Sequence, residues 1–397
     1  MSSSSPSGAP SRPRYDVITF GETMIRFSPV DGEMLEQADY LRADAAGTES
    51  NMAAALARMG ADVAWVSVLP DHPAGRWIAS RLALHGVDTS HVAWQGDPDE
   101  SSNGRGERDD RTGQAEQTDD RGDTVGQPSR PSRPGVFFLE PGSPPRGSRV
   151  VYDRAGSAAT GMTPAVVEQA LRSGARIVHT SGITASLSAE CRETVDRVLG
   201  NRAEGGYRTS FDVNYRAKLW SPEEARAVLQ TMLGEVDILV STSDDAALIF
   251  GLDGKPEETV EALHGRFGNE IVVLTLSEGG AVGWSAETGF LYTQPYVVEP
   301  VDRLGAGDAF DAGLLYGLLR EDLANGLSYG TALSALCLSE RGDMTWSTLE
   351  EVKQMARPVH AGRSATSARS EPSAPTAPSA RSEPSAPTAP SARSAES

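Results

Sequence analysis

The sequence predicts an α/β protein with a mostly parallel central sheet, helices on both faces and a small β-lid. Short β-branched runs alternate with longer helical stretches through most of the chain. Those runs are apolar at successive positions, as strands buried on both faces are. Two further β-type runs, 135–140 and 149–153, flank a Pro/Gly-rich turn with no helix between them, so they stand apart from the main sheet.

The main strands are expected at 15–20 (YDVITF), 62–68 (DVAWVSV), 176–180 (RIVHT), 208–213 (RTSFDV), 237–240 (DILV) and 271–276 (IVVLTL). Helices are expected between them at 50–59, 73–85, 163–172, 187–199, 222–233 and 256–267, with a long one from about 306 to 319. In such sheets ligands sit beyond the carboxyl ends of the strands. The runs 135–140 and 149–153, with 24–28 and 91–94, make the expected lid.

Three stretches cannot bury enough apolar surface to offset chain entropy and are expected to be disordered. They are 1–14, the insertion 95–134 in the lid region, and the tail 361–397, which carries SARSEPSAPTAP twice in tandem from Ser367 and Ser379. What remains of 15–360 is a plausible single large α/β domain.

The 397 residues carry 36 basic and 55 acidic side chains, a formal charge of −19. A field of that sign repels nucleic acid, and no apolar run is long enough to span a membrane. Only Lys218, Lys255 and Lys353 are lysines, leaving 33 arginines. An acid-rich, lysine-poor chain suits high salt, where screening blunts self-repulsion. GC-biased coding also favours Arg over Lys but does not explain the acid excess. Cys191 and Cys337 lie far apart, which fits a reducing cytoplasm.

Four motifs carry chemistry. In Val301-Asp302-Arg303-Leu304-Gly305-Ala306-Gly307-Asp308, small residues open a helix whose free N–H groups form an anion site. Asp308 in its first turn is either a base facing a bound phosphate or an acid complementing the helix dipole. Ala46-Gly47-Thr48-Glu49-Ser50-Asn51 places Asn51 within reach of a polyol, or is a helix start capped by Ser50. Asp212-Val213-Asn214-Tyr215-Arg216 ends a strand, and Arg216 suits a carboxylate or a surface salt bridge. Thr275-Leu276-Ser277-Glu278-Gly279-Gly280 is a glycine turn, either a phosphate cradle or a hairpin.

In this order the four motifs resemble the ribokinase-like (PfkB) family of sugar kinases over about residues 15–355, and within it the 2-keto-3-deoxygluconate kinases. Supporting stretches are 179–188 (HTSGITASLS), 210–226 (SFDVNYRAKLWSPEEAR), 151–159 (VYDRAGSAA) and 339–343 (SERGD). The resemblance implies a ribokinase-like fold and transfer of the ATP γ-phosphate to the terminal hydroxyl of a sugar acid. It further implies Asp308 as base, with Gly305, Ala306 and Gly307 as anion hole. Gly47, Asn51, Phe137, Tyr152, Arg154, Arg216 and Asp343 fall at substrate positions. Thr275, Ser277, Gly280, Gly305, Gly307 and Tyr329 fall at nucleotide positions. Mg²⁺ is expected to be held through phosphates and water, with Asp245 acting indirectly. Arg154 and Arg216 favour an acid over a neutral hexose. A homo-oligomer is the implied assembly.

The chain departs from the family pattern at Phe137, where a Tyr is usual, and at Thr275 and Ser277, which replace Lys and Gly. It departs also at Asp153, at the added Asp311, and at Thr242-Ser243-Asp244-Asp245, which stands for Asn-x-x-Glu. The alternatives are a fructokinase- or ribokinase-type enzyme, a dual gluconate/galactonate kinase, or a weakly catalytic sugar-binding member. A dinucleotide fold is disfavoured because the first strand leads into Phe20-Gly21-Glu22-Thr23. No Walker loop exists, since Pro256 follows Gly254-Lys255.

Overall fold

The computed structural model describes residues 13–30, 33–96, 132–142, 145–276 and 279–362. Most of the expected disordered stretches, and Ser277, lie outside the described residues. From the amino terminus, β1 (Tyr15–Phe20) leads to β2 (Met24–Pro29) and β3 (Leu41–Ala46), then α1 (Thr48–Arg58), β4 (Val63–Val66) and β5 (Val68–Pro70). Next come α2 (Pro73–Leu84), β6 (Ala93–Gln95), β7 (Val136–Glu140) and β8 (Arg149–Asp153). The middle of the chain forms α3 (Pro164–Leu171), β9 (Ala175–Ser181), α4 (Gly182–Ser186), α5 (Ala189–Gly200), α6 (Arg202–Gly205) and β10 (Arg208–Asp212). It continues through α7 (Pro222–Met232), β11 (Ile238–Thr242), α8 (Ser243–Phe250), α9 (Pro256–Phe267), β12 (Ile271–Thr275), β13 (Ala281–Ser285) and β14 (Gly289–Thr293). The last elements are α10 (Ala306–Arg320), α11 (Leu323–Leu338), α12 (Leu349–Met355) and the short β15 (His360–Ala361).

The central sheet has nine strands in the order β15-β14-β13-β12-β11-β10-β9-β1-β4. It is parallel from β4 to β12 and antiparallel beyond. Neighbouring residues of one strand feed opposite cores, as the pleat requires. Val17, Ile238 and Val273 pack under α1, α10 and α11. Ile18, Leu239 and Val272 pack under α5, α7 and α9. Both faces are therefore covered, which explains the unbroken apolar runs. Helices α10 and α11 approach closely because a Cβ on Gly313 or Gly317 would overlap the backbone of Gly330 or Gly326.

The lid is a four-stranded sheet, β3-β2-β7-β8. Three of its strands match the expected runs. The fourth is Leu41–Ala46, not 91–94: β6 pairs instead with β5 in a separate two-stranded ladder. Phe137 and Leu139 point from β7 into a small core beneath the lid with Met24 and Ala46. Lid strand β3 runs directly into the Gly47 cap of α1, and lid residues Phe137 and Tyr152 share a cleft with Glu22, Ile183 and Arg216, which follow β1, β9 and β10.

Candidate active site

The amino terminus of α10 sits between two clefts. Gly305 caps it with φ +84, a left-handed conformation that favours glycine. A Cβ there would also overlap the carbonyl of Asp343. The first intrahelical bond is Ala309 N–H to the Gly305 carbonyl at 2.8 Å. The N–H groups of Ala306, Gly307 and Asp308 precede that bond, so they lack intrahelical acceptors and point outward. Gly305 and Asp308 line the first cleft, while Ala306 and Gly307 line the second.

Asp308 is buried, and Asn51 Nδ2 donates to its Oδ2 at 2.7 Å. Asn51 in turn accepts from the Gly47 N–H at 3.3 Å, so the starts of α1 and α10 are braced together. Gly47, rather than Ser50, caps α1, and the Ser50 hydroxyl donates back to the Gly47 carbonyl at 2.8 Å. Burial pushes the Asp308 carboxyl up to about 6, while the Asn51 hydrogen bond, the Arg216 charge and Thr48 pull it down. Asp308 is therefore mostly ionised at neutral pH, yet is a stronger base than an exposed aspartate.

The first cleft holds about 540 Å³ of open space. All seven expected substrate residues, Gly47, Asn51, Phe137, Tyr152, Arg154, Arg216 and Asp343, line it with Asp308. They come from α1, the lid, the loop after β10 and the segment after α11, and only the fold brings them together. Phe137 and Tyr152 pack ring against ring at 5.5 Å across β7 and β8.

The two arginines are not equivalent. Arg154 donates from Nε to Glu22 Oε2 at 2.8 Å and again from Nη2, and Ser157 fills the other Glu22 oxygen at 2.5 Å. Its charge is thus matched by a buried carboxylate. Arg216 is exposed, and its Nη1 donates to the neighbouring Tyr215 carbonyl at 3.4 Å. Asp343 is held by the buried Arg26, which also binds Asp302 at 2.6 Å. The sequence reading missed both Glu22 and Arg26; neither partner is near in sequence.

The second cleft holds about 860 Å³ and is lined by Thr275, Gly280, Tyr296, Gly307, Phe310 and Thr331 among others. The β12–β13 connection is indeed a hairpin, and Gly280 (φ +85) both turns it and lines the cleft. A Cβ built on Gly307 meets nothing within 4 Å, so a side chain would project into open space beside free helix N–H groups. That is a cradle shaped for an anion. Tyr329 is misplaced by the sequence reading. It is buried beside Tyr316 and donates to Glu321 at 2.8 Å. The cleft-facing stripe of α11 is Thr331, Ser334, Ala335 and Leu338, and Tyr329 lies two residues, about 200°, off that face.

Below Asp308 lie further buried acids. Asp212 is pushed up by burial and by Asp245 and Asp308, and Asp311 by burial and by Asp212 and Asp308. Asp245 accepts from the Tyr215 N–H at 3.2 Å, and Thr242 caps α8 by accepting from the Asp245 N–H at 2.9 Å. Among the described residues no group of three acidic, His or Cys side chains is placed to hold a metal ion. His179 is a core residue: its Nδ1 meets Ser210 Oγ at 3.0 Å, and burial lowers it to about 3.

Residues 15–104 and 133–350 match the pfkB family of carbohydrate kinases. The chain is 36% identical over 349 residues to a 2-dehydro-3-deoxygalactonokinase of Haloferax volcanii, covering 87% of this chain and 98% of that protein. It is 30% identical over 340 residues to a 2-dehydro-3-deoxygluconokinase of Thermoproteus tenax, covering 84% and 91%. Among solved structures, the 2-dehydro-3-deoxygluconokinase of Thermotoga maritima superposes with a TM-score of 0.72 at 30% identity, covering 85% of this chain and 98% of that one.

Proposed function

The chain belongs to the PfkB family of carbohydrate kinases, and on that premise we propose that it transfers the ATP γ-phosphate to the terminal hydroxyl of a 2-keto-3-deoxy sugar acid. The preferred substrate is 2-keto-3-deoxygluconate, giving its 6-phosphate as in an Entner–Doudoroff-type route. The observation that carries this is the α10 amino terminus shared by two clefts, with Asp308 on one side and the Gly307 cradle on the other. The galactonate epimer is a second substrate, favoured by the Haloferax relative.

The sugar lies in the first cleft with its terminal hydroxyl at Asp308. The Asp308 carboxylate takes the hydroxyl proton as the sugar oxygen bonds to the γ-phosphorus, and the bond to the bridging oxygen breaks with its electron pair leaving on ADP. The N–H groups of Gly305, Ala306 and Gly307 stabilise the charge on the transferring group. Thr275, Gly280 and Thr331 line the nucleotide's cleft. Mg²⁺ carried on the phosphates would supply further charge neutralisation, with Asp245 acting on it indirectly. The Asp308 carboxylate repels a second carboxylate, so the acid end of the substrate turns toward Arg216.

The test is phosphorus NMR of the product made from Mg-ATP and 2-keto-3-deoxygluconate. A phosphomonoester on C6 is expected. ADP formed with free phosphate, or no sugar-dependent ADP, would refute the reading.

A further inference from the structure

A separate cavity of about 330 Å³ opens where β3, the end of α2 and the segment after α11 meet. It shares Asp343 with the first cleft and no residue with the second. Three arginines from three elements line it: Arg42 of β3, Arg81 in the last turn of α2, and Arg341 after α11. Its two carboxylates are already held. Asp44 accepts from Arg42 Nε at 3.1 Å, and Asp343 is bound by the buried Arg26. Arg81 has no carboxylate partner among the described residues and lies over the Trp77 ring, 5.9 Å from its centroid. These cations gather in a chain whose net charge is −19, against the sign of its overall field.

The second observation is His85, which caps α2 and lines the same cavity. It is only 6% exposed, and its Nδ1 has no hydrogen-bond partner among the described residues. Its ring packs against Trp346 at 4.2 Å. Burial, then the charges of Arg58 and Arg81, push it down to about 4, so the potential at the ring is positive and the ring itself is neutral at pH 7. A buried polar nitrogen left unpaired is costly, and such exceptions call for a partner.

We propose that this cavity is an anion site, distinct from the two catalytic clefts, that takes a phosphate group, either inorganic phosphate or the phosphate of a small monoester. Arg81 supplies the uncommitted charge, and Arg42 adds a guanidinium that spends its Nε on Asp44. Guanidinium groups bind phosphate oxygens through charge-assisted hydrogen bonds, each stronger than a neutral one. A tetrahedral phosphate can face donors arriving from β3, α2 and the segment after α11 at once, whereas a carboxylate offers two oxygens in one plane. A bound dianion also favours the protonated form of a neighbouring imidazole, which makes His85 a reporter of occupancy.

The test follows the His85 ring by NMR in the full chain carrying isotope-labelled histidine. Its signal is assigned by its contacts with the Trp346 ring and by its loss in His85→Gln. Inorganic phosphate and glycerol phosphate are titrated separately, each against potassium chloride at matched ionic strength. A saturable shift of the His85 signal is expected with at least one of them, together with a rise in the ring's titration midpoint. The ligand that saturates at the lower concentration identifies the source of the phosphate. Arg81→Gln keeps the stem over Trp77 and removes the charge, so it is expected to weaken binding about tenfold or more, the size of one lost charged donor. No saturable shift with either ligand, or the same shift with chloride alone, overturns the site. So does undiminished affinity in Arg81→Gln, because phosphate held at the Gly307 cradle would bind without Arg81.

Discussion

Asp308 is held between a burial that raises its carboxyl to about 6 and an Asn51 hydrogen bond that keeps it ionised and aimed. Asp308→Asn should keep sugar affinity and lose about 10²–10⁴ in turnover, the worth of a general base; single-turnover kinetics checks it. Only the ionised form accepts a proton, so kcat/KM should fall as pH drops through about 6, two units above an exposed aspartate. A pH–rate profile with an acid limb near 4 would remove burial as the tuning cause. At this scale, Asp308, Gly47 and Arg216 were legible because each sits in a short local motif. The Glu22–Arg154 pair joins positions 132 residues apart, and nothing local in either segment announces it. Tyr329 failed for a different reason: with α11 buried on nearly all sides, the sequence offers no polar stripe from which to read its cleft-facing side.

Among the elements, α10 separates two kinds of glycine. Gly305→Ala meets a left-handed φ and the Asp343 carbonyl together. It should cost about 1–3 kcal/mol of stability, seen as a lowered Tm. Gly307→Ala meets no protein atom within 4 Å. It should leave Tm unchanged and raise KM for ATP, because its methyl fills the cradle; calorimetry and initial rates separate the two. The parallel strands were legible because burial on both faces writes itself as continuous β-branched runs. Strand β3 (LRADAA) was not, since half of it is exposed and its residues have little strand preference. The β13–β14 hairpin was missed as well, while α8 and α12 carry caps at Thr242 and Thr348 that could have marked them.

The whole molecule carries a net charge of −19, yet on the proposed reading the site must attract two anions, ATP and a sugar acid. The local cations and helix N–H groups oppose a repulsive global field. Salt screens the field over about 10 Å at 0.1 M and 3 Å at 1 M. Tm is therefore expected to rise from 0.1 M to molar KCl, and a Tm unchanged or lowered in differential scanning would count against acid self-repulsion. The family match ends at residue 350, ahead of the tandem repeat. Deleting 363–397 should accordingly leave kcat/KM unaltered in a coupled assay. Net charge and low complexity were plain in composition, and the alternation of strands and helices gave the layered architecture. The mixed edge of the sheet was not, because its strands come after the last β-branched run.

The most direct measurement is coupled Mg-ATP turnover at high salt with 2-keto-3-deoxygluconate, 2-keto-3-deoxygalactonate, fructose and ribose side by side. A site built from an acid-lined base and a cationic far end should favour the keto-acids by about 10²-fold or more in kcat/KM, the worth of one or two charge-assisted bonds. Equal or better turnover of fructose or ribose would contradict it.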